Sequence, residues 1–109
     1  MFGIFNKPKV DNVRNIRSRI RSFAKLRDGY DVWLFNRNGH RYHDDNESLR
    51  EPSFATKNLW GGLKTVAHLN ERIEGKFRDV GEKVDVKIFN GDDEVHGKTS
   101  FTSVSSAYD

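Results

Sequence analysis

The chain has 109 residues, no cysteine and a formal net charge of +3. That length fits one domain around one core. The lack of cysteine excludes a disulfide framework, a thiolate zinc site and a cysteine nucleophile; it suits a reducing compartment, so a cytoplasmic location is expected. No stretch approaches the roughly 20 apolar residues of a membrane span.

The charge is unevenly spread. Residues 1–27 hold eight basic side chains against one acid, Asp11, a surplus of seven. Residues 28–109 hold eleven basic against fifteen acidic, a deficit of four. Such a split points either to a localised contact with an anionic partner or to two halves of one domain that attract each other.

In chain order, residues 1–11 form an N-terminal arm. Its apolar start, Met1 to Phe5, is too short for a signal-peptide core. With Lys7 and Lys9 beside it, the arm is a candidate for membrane-surface contact, but folding back on its own domain is the expected outcome. Residues 12–28 read as a helix, because Val13, Ile16, Ile20 and Phe23 recur every three or four positions. Asp11 or Asn12 caps its start and Gly29 closes its end. Arg14, Arg21 and Lys25 point away from the apolar stripe, and Arg17 and Arg19 flank it.

Residues 30–36 read as a strand, followed by Asn38-Gly39, a strong hairpin signal. Residues 40–44 then return as a second strand. A two-residue turn sets Phe35 opposite Tyr42 and places Trp33, Phe35 and Tyr42 on one face. Residues 44–57 are polar and read as a loop. A second helix lies within 59–79, with Leu59, Leu63, Val66, Ile73 and Phe77 as its stripe. Gly61, Gly62 and Gly75 blur its limits. A third strand covers 83–90, Asn90 to Asp93 turn the chain, and a fourth strand runs from about Glu94 toward Phe101. Residues 103–109 read as a loose tail.

The most informative pattern is internal. Tyr30-Asp31-Val32-Trp33-Leu34-Phe35-Asn36 aligns with Val84-Asp85-Val86-Lys87-Ile88-Phe89-Asn90, identical at four of seven positions. Tyr42-His43 aligns with Val95-His96, and Lys25-Leu26-Arg27-Asp28 with Lys76-Phe77-Arg78-Asp79. The helix stripes align poorly. The expected architecture is α+β: two tandem helix–β-hairpin (αββ) halves, 12–45 and 58–102, joined by a loop at 46–57. They form an antiparallel sheet of about four strands with two helices on one face. This tandem plan is similar to that of many small bacterial and phage accessory proteins, with no motif that ties the chain to one family.

The alternation directs Val32, Leu34, Val86 and Ile88 toward the helices. The other face then carries Trp33, Phe35, Tyr42, Lys87 and Phe89, with Asp31 and Asp85. With both helices on one side this face is left open, and an exposed patch of this kind marks an interaction site, but coverage by the N-terminal arm, the 44–57 loop or a second copy of the chain is the expected outcome.

Motifs for catalysis are absent. There is no Gly-x-Ser-x-Gly elbow and no His-Glu-x-x-His, and Gly61-Gly62-Leu63-Lys64-Thr65 lacks the spacing of a phosphate loop. His40 and His43 point to opposite faces of a strand, which argues against a metal site. Asp92, Asp93 and Glu94 sit at a turn and are expected to be solvated. No enzyme activity, cofactor or metal is therefore expected. The sequence favours a non-enzymatic protein-binding module acting through the aromatic face. It would be a small regulator or inhibitor of a larger host machine of the phage accessory type, or a self-associating chain. The alternative is nucleic-acid binding, with Arg14, Arg17, Arg21 and Lys25 on phosphates.

Overall fold

A computed structural model describes residues 9–55 and 59–109 of the chain. Most of the N-terminal arm, with its candidate membrane contact, lies outside the described residues, as do residues 56–58. The described residues form a mixed α+β structure. Its elements are β1 (Lys9–Asn12), α1 (Val13–Ala24), β2 (Tyr30–Phe35), β3 (Ser48–Glu51), α2 (Val66–Asp79), β4 (Asp85–Asn90), β5 (Asp93–Glu94) and α3 (Phe101–Val104). They make two antiparallel sheets, one of order β1-β3 and one of order β2-β4-β5.

α1 starts where the sequence predicts, with the Asn12 side chain accepting from the Asn15 amide. It stops at Ala24 rather than residue 28. Lys25 takes the left-handed conformation (φ 51°), and the amides of Lys25 and Leu26 donate back to the carbonyls of Ser22 and Arg21. Its buried stripe is Val13, Ile16, Ile20 and Ala24. Phe23 leaves that stripe and stacks on Trp60, with ring centroids 5.8 Å apart. α2 begins at Val66, capped by Thr65, and not near residue 59. Gly62 has φ +69°, which a right-handed helix does not permit, so Leu59 and Leu63 are buried from an irregular approach segment.

β2 and β4 pair along their whole length, with Val32 opposite Ile88 and Leu34 opposite Val86. All four side chains are buried, as the alternation predicts. They form one core with Val13, Ile16 and Ile20 of α1 and Val66, Leu69, Ile73 and Phe77 of α2.

The predicted partner strands are where the architecture departs from expectation. Residues 40–44 contribute a single bridge, Phe35 to Arg41. The Asn36 side-chain oxygen accepts from the amides of Asn38 and His40, so the loop is wider than a two-residue turn. The fourth strand is only Asp93–Glu94. In both places the chain leaves the sheet because its carbonyls serve a helix terminus. Those of Glu47 and Asp45 accept from the amides of Val13 and Arg14, and those of Thr99 and Gly97 from Val66 and Ala67. The same correspondence continues elsewhere. The Tyr42 amide donates to Leu34 as Val95 donates to Ile88, and Lys25–Leu26 close α1 as Gly81–Glu82 close α2.

Two segments expected to be irregular are ordered. Within the 46–57 loop, Ser48–Glu51 forms β3 on β1. Within the C-terminal segment, the end of the expected fourth strand is helical (α3), and the 103–109 tail is docked rather than loose. Val104 and Ser105 are buried, the Ser105 hydroxyl donates to the Ala24 carbonyl at 2.5 Å, and Arg27 pairs with Asp109 at 2.8 Å. Apolar Phe101 and Val104, three positions apart, drive this docking.

Candidate functional site

The face of the β2-β4-β5 sheet opposite the buried Val32, Leu34, Val86 and Ile88 brings together four of the five predicted residues: Trp33 and Phe35 on β2, Lys87 and Phe89 on β4. Trp33 and Phe35 are half-buried and Phe89 is 8% exposed. Phe35 and Phe89 stack with centroids 6.3 Å apart. Lys87 lies 5.0 Å from the Phe35 ring and pairs with Glu94 at 3.8 Å.

Tyr42 is not part of this face. The wider turn shifts the return segment by one residue, so Arg41 stands opposite Phe35 and Tyr42 packs against the core. Burial pushes the Tyr42 phenol above its ordinary range, reinforced by Glu82 and Glu47. The missed residue is therefore Arg41. Its guanidinium carbon lies 4.3 Å from the Trp33 ring centroid, 4.8 Å from that of Phe89 and 5.7 Å from that of Phe35. The signal that could have found it is Asn36, an Asx-turn former directly after the strand.

The basic residues divide. Arg14, Arg17 and Arg21 form one cluster on α1. Arg17 reaches over the edge of β2, where its Nε donates to the Val32 carbonyl at 2.7 Å, and its guanidinium carbon lies 3.5 Å from the Trp33 ring centroid. The expected fold sets the helices on one face of the sheet and the aromatic residues on the other; Arg17 reaches from α1 to the Trp33 ring. Asp31 pairs with Arg17 at 2.8 Å, and Asp45 approaches both Arg14 and Arg17 at 3.7 Å. Lys25 stands apart at the helix end, where its carbonyl accepts from Ser106.

Arg19, two residues from Arg17, points elsewhere. It donates to both oxygens of Glu51, at 2.5 and 2.6 Å, and to Asp11. This ties α1 to the β1-β3 ribbon. The hydrogen bonds from Asn15, Arg19 and the Asn12 amide lower the Asp11 pKa to about 2, and the Glu51 and Asp11 carboxylates raise that of Arg19.

Elsewhere, His40, His43 and His96 are exposed, and His68 accepts from the Lys64 amide. Among the described residues, no group of three or more His, Asp or Glu side chains converges as a metal site would require. None of their helices is long and apolar enough to cross a membrane. No family model matches the chain, and no curated protein or solved structure matches it either.

Proposed function

We propose that the protein is a non-enzymatic binding module that docks another protein, or a second copy of itself, on the open face of Trp33, Phe35, Arg41, Lys87 and Phe89. The observation that carries this reading is the Arg41 guanidinium held against three aromatic rings. Aromatic and arginine side chains in one preorganised patch are what interface hot spots use, because they bury large areas at little entropic cost. The charges on the face are mixed. Arg17, Arg41 and Lys87 share it with Asp31, Asp85 and Glu94, which suits a polypeptide better than a polyanion. Regulation or inhibition of a larger machine, in the cytoplasm, is the role this reading gives a module of this size.

The matching hydrogen bonds at the two helix starts and strand ends support a further reading of the chain as two αββ-type halves about a pseudo-twofold axis. The offset between corresponding residues is smaller at the helix starts than at the helix ends. Extra residues inside α2 thus account for the poor alignment of the stripes.

The test pairs native mass by light scattering with capture of partners from a lysate. The Trp33→Ser/Phe35→Ser variant should lose the captured partner, or turn a dimer into a monomer, with an unchanged circular dichroism spectrum. Capture and mass equal to those of the parent would contradict the proposal. Nucleic-acid binding through Arg14, Arg17, Arg21 and Lys25 remains the competing reading, supported by the nearness of Arg17 to Trp33. It requires co-purifying nucleic acid that nuclease or salt removes.

A further inference from the structure

The ion contacts around Asp31 are unequal. Arg17 meets it at 2.8 Å, but Arg21 only at 3.7 Å, and Asp45 stands 3.7 Å from both Arg14 and Arg17. A separation of 3.7 Å is too long for a hydrogen bond. The Nε of Arg21 is shielded from water and has no hydrogen-bond acceptor among the described residues. A guanidinium carries five donors, so this cluster holds strong donors without matching acceptors. Three guanidiniums face two carboxylates, which leaves one unit of positive charge.

The surroundings define what would supply the missing acceptor. A shallow depression is lined by Arg14, Arg17, Ser18, Arg21 and Asp31. It adjoins a second, lined by Tyr30 and Trp33 among others, and the two share Arg21 and Asp31. An anion in the first depression thus has an aromatic wall beside it.

We propose that this cluster receives one carboxylate side chain of the docked polypeptide, with an aromatic or apolar neighbour of that side chain against Trp33. The inference rests on the reading of the sheet face as a protein-docking surface and names the chemistry of its partner, an acidic–apolar segment. One carboxylate neutralises the residual charge. A nucleic-acid backbone brings many charges past Asp31, Asp45 and Asp92, which repel it. As the carboxylate engages Arg14 and replaces Asp31 on Arg17, Asp31 is released toward the Nε of Arg21, so each of the three guanidiniums then holds an acceptor.

The test is a solution NMR titration of the full chain. The signals followed are the Trp33 indole and the Nε resonances of Arg17 and Arg21. The probes are a short synthetic peptide alternating Glu and Phe, its counterpart with Gln for Glu, and oligo(dT). The Glu peptide should move these signals and bind about tenfold more tightly than the Gln peptide, the ratio expected for a hydrogen bond to a charged group. In the Arg14→Gln/Arg21→Gln variant that preference should vanish. Equal binding of both peptides at Trp33 overturns the carboxylate inference and leaves the docking face standing. Absence of any shift overturns the inference, and the face is then judged by the mass and capture experiment. Tighter binding of oligo(dT) than of the Glu peptide overturns it in favour of nucleic acid.

Discussion

Arg17 and Arg19 flank the same apolar stripe of α1, two residues apart, yet they sit in regions of different character. Arg19 donates to both oxygens of Glu51 and to Asp11, and Glu51 is 6% exposed. Arg17 is itself held by Asp31 and the Val32 carbonyl, but its neighbours Arg14 and Arg21 are more exposed and make only loose ion contacts, and the Arg21 Nε lacks an acceptor among the described residues. Where donors and acceptors are matched and shielded, a charged group holds the fold together. Where they are unmatched at a half-open surface, it is available to a partner.

The sharpest way to break this comparison is to substitute both kinds of arginine and compare the cost. Arg19→Met strands the Glu51 carboxylate in a dry site, and removing one partner of a buried pair costs several kcal/mol. Arg19 is itself partly exposed, so we expect about 2–3 kcal/mol by chemical denaturation. Adding Glu51→Leu to that variant should restore most of the loss, because the stranded charge disappears. A loss for Arg19→Met no larger than that of an exposed pair would place Arg19 in the same class as Arg21.

A smaller effect tests whether the C-terminal segment belongs to the fold. Ser105→Ala removes a buried hydroxyl that donates to the Ala24 carbonyl. It should cost about 1 kcal/mol. An unchanged denaturation midpoint would return residues 103–109 to the status of a loose tail.

The pH dependence separates two carboxylates of opposite kind. Asp11 has its pKa lowered to about 2, so its contribution is present above the ordinary value of 3.8 and is lost as pH falls through about 2. Burial raises the pKa of Glu74, whose carboxylate accepts from the Val86 amide. Its contribution is greatest below 4.5 and is lost as pH rises through the raised value. Asp11→Asn should therefore be less stable than the parent at neutral pH, with the difference vanishing near pH 2. Glu74→Gln, which keeps an acceptor for Val86, should be more stable than the parent at pH 7, with the gain vanishing in acid. Denaturation midpoints across pH read both.

The smallest expected effect is on the loose cluster. Arg21→Gln should change stability by less than about 0.5 kcal/mol, as for an exposed ion pair. A larger loss would make Arg21 a structural residue and remove it from the candidate surface.

Much of this was legible in the sequence for reasons that are local. The Asn12 cap of α1, the paired alternation of Val32, Leu34, Val86 and Ile88, and the shared face of Trp33, Phe35 and Phe89 follow from period and side-chain type. The rest depended on where hydrogen bonds are satisfied over long distance. The return strand was expected because Asn38-Gly39 signals a two-residue hairpin, but Asn36 captured the turn amides, moving Arg41 into the place foreseen for Tyr42. The carbonyls of Asp45 and Glu47 went to the start of α1 instead of a ladder. The pairing of β1 with β3 joins segments far apart in the chain, and neither is apolar enough to announce itself. The sorting of Arg17 from Arg19 was likewise invisible, since it is decided largely by Asp31 and Glu51, which are distant in the chain.

The account stands on the open sheet face being a surface and not a second core. Thermal unfolding of the Trp33→Ser/Phe35→Ser variant measures this most directly. Loss of two half-buried rings should leave a cooperative transition about 10 °C below that of the parent, at roughly 4–8 °C per kcal/mol for a domain of this size. Absence of a cooperative transition would mean that these rings hold the fold together, and the proposed docking surface would be lost.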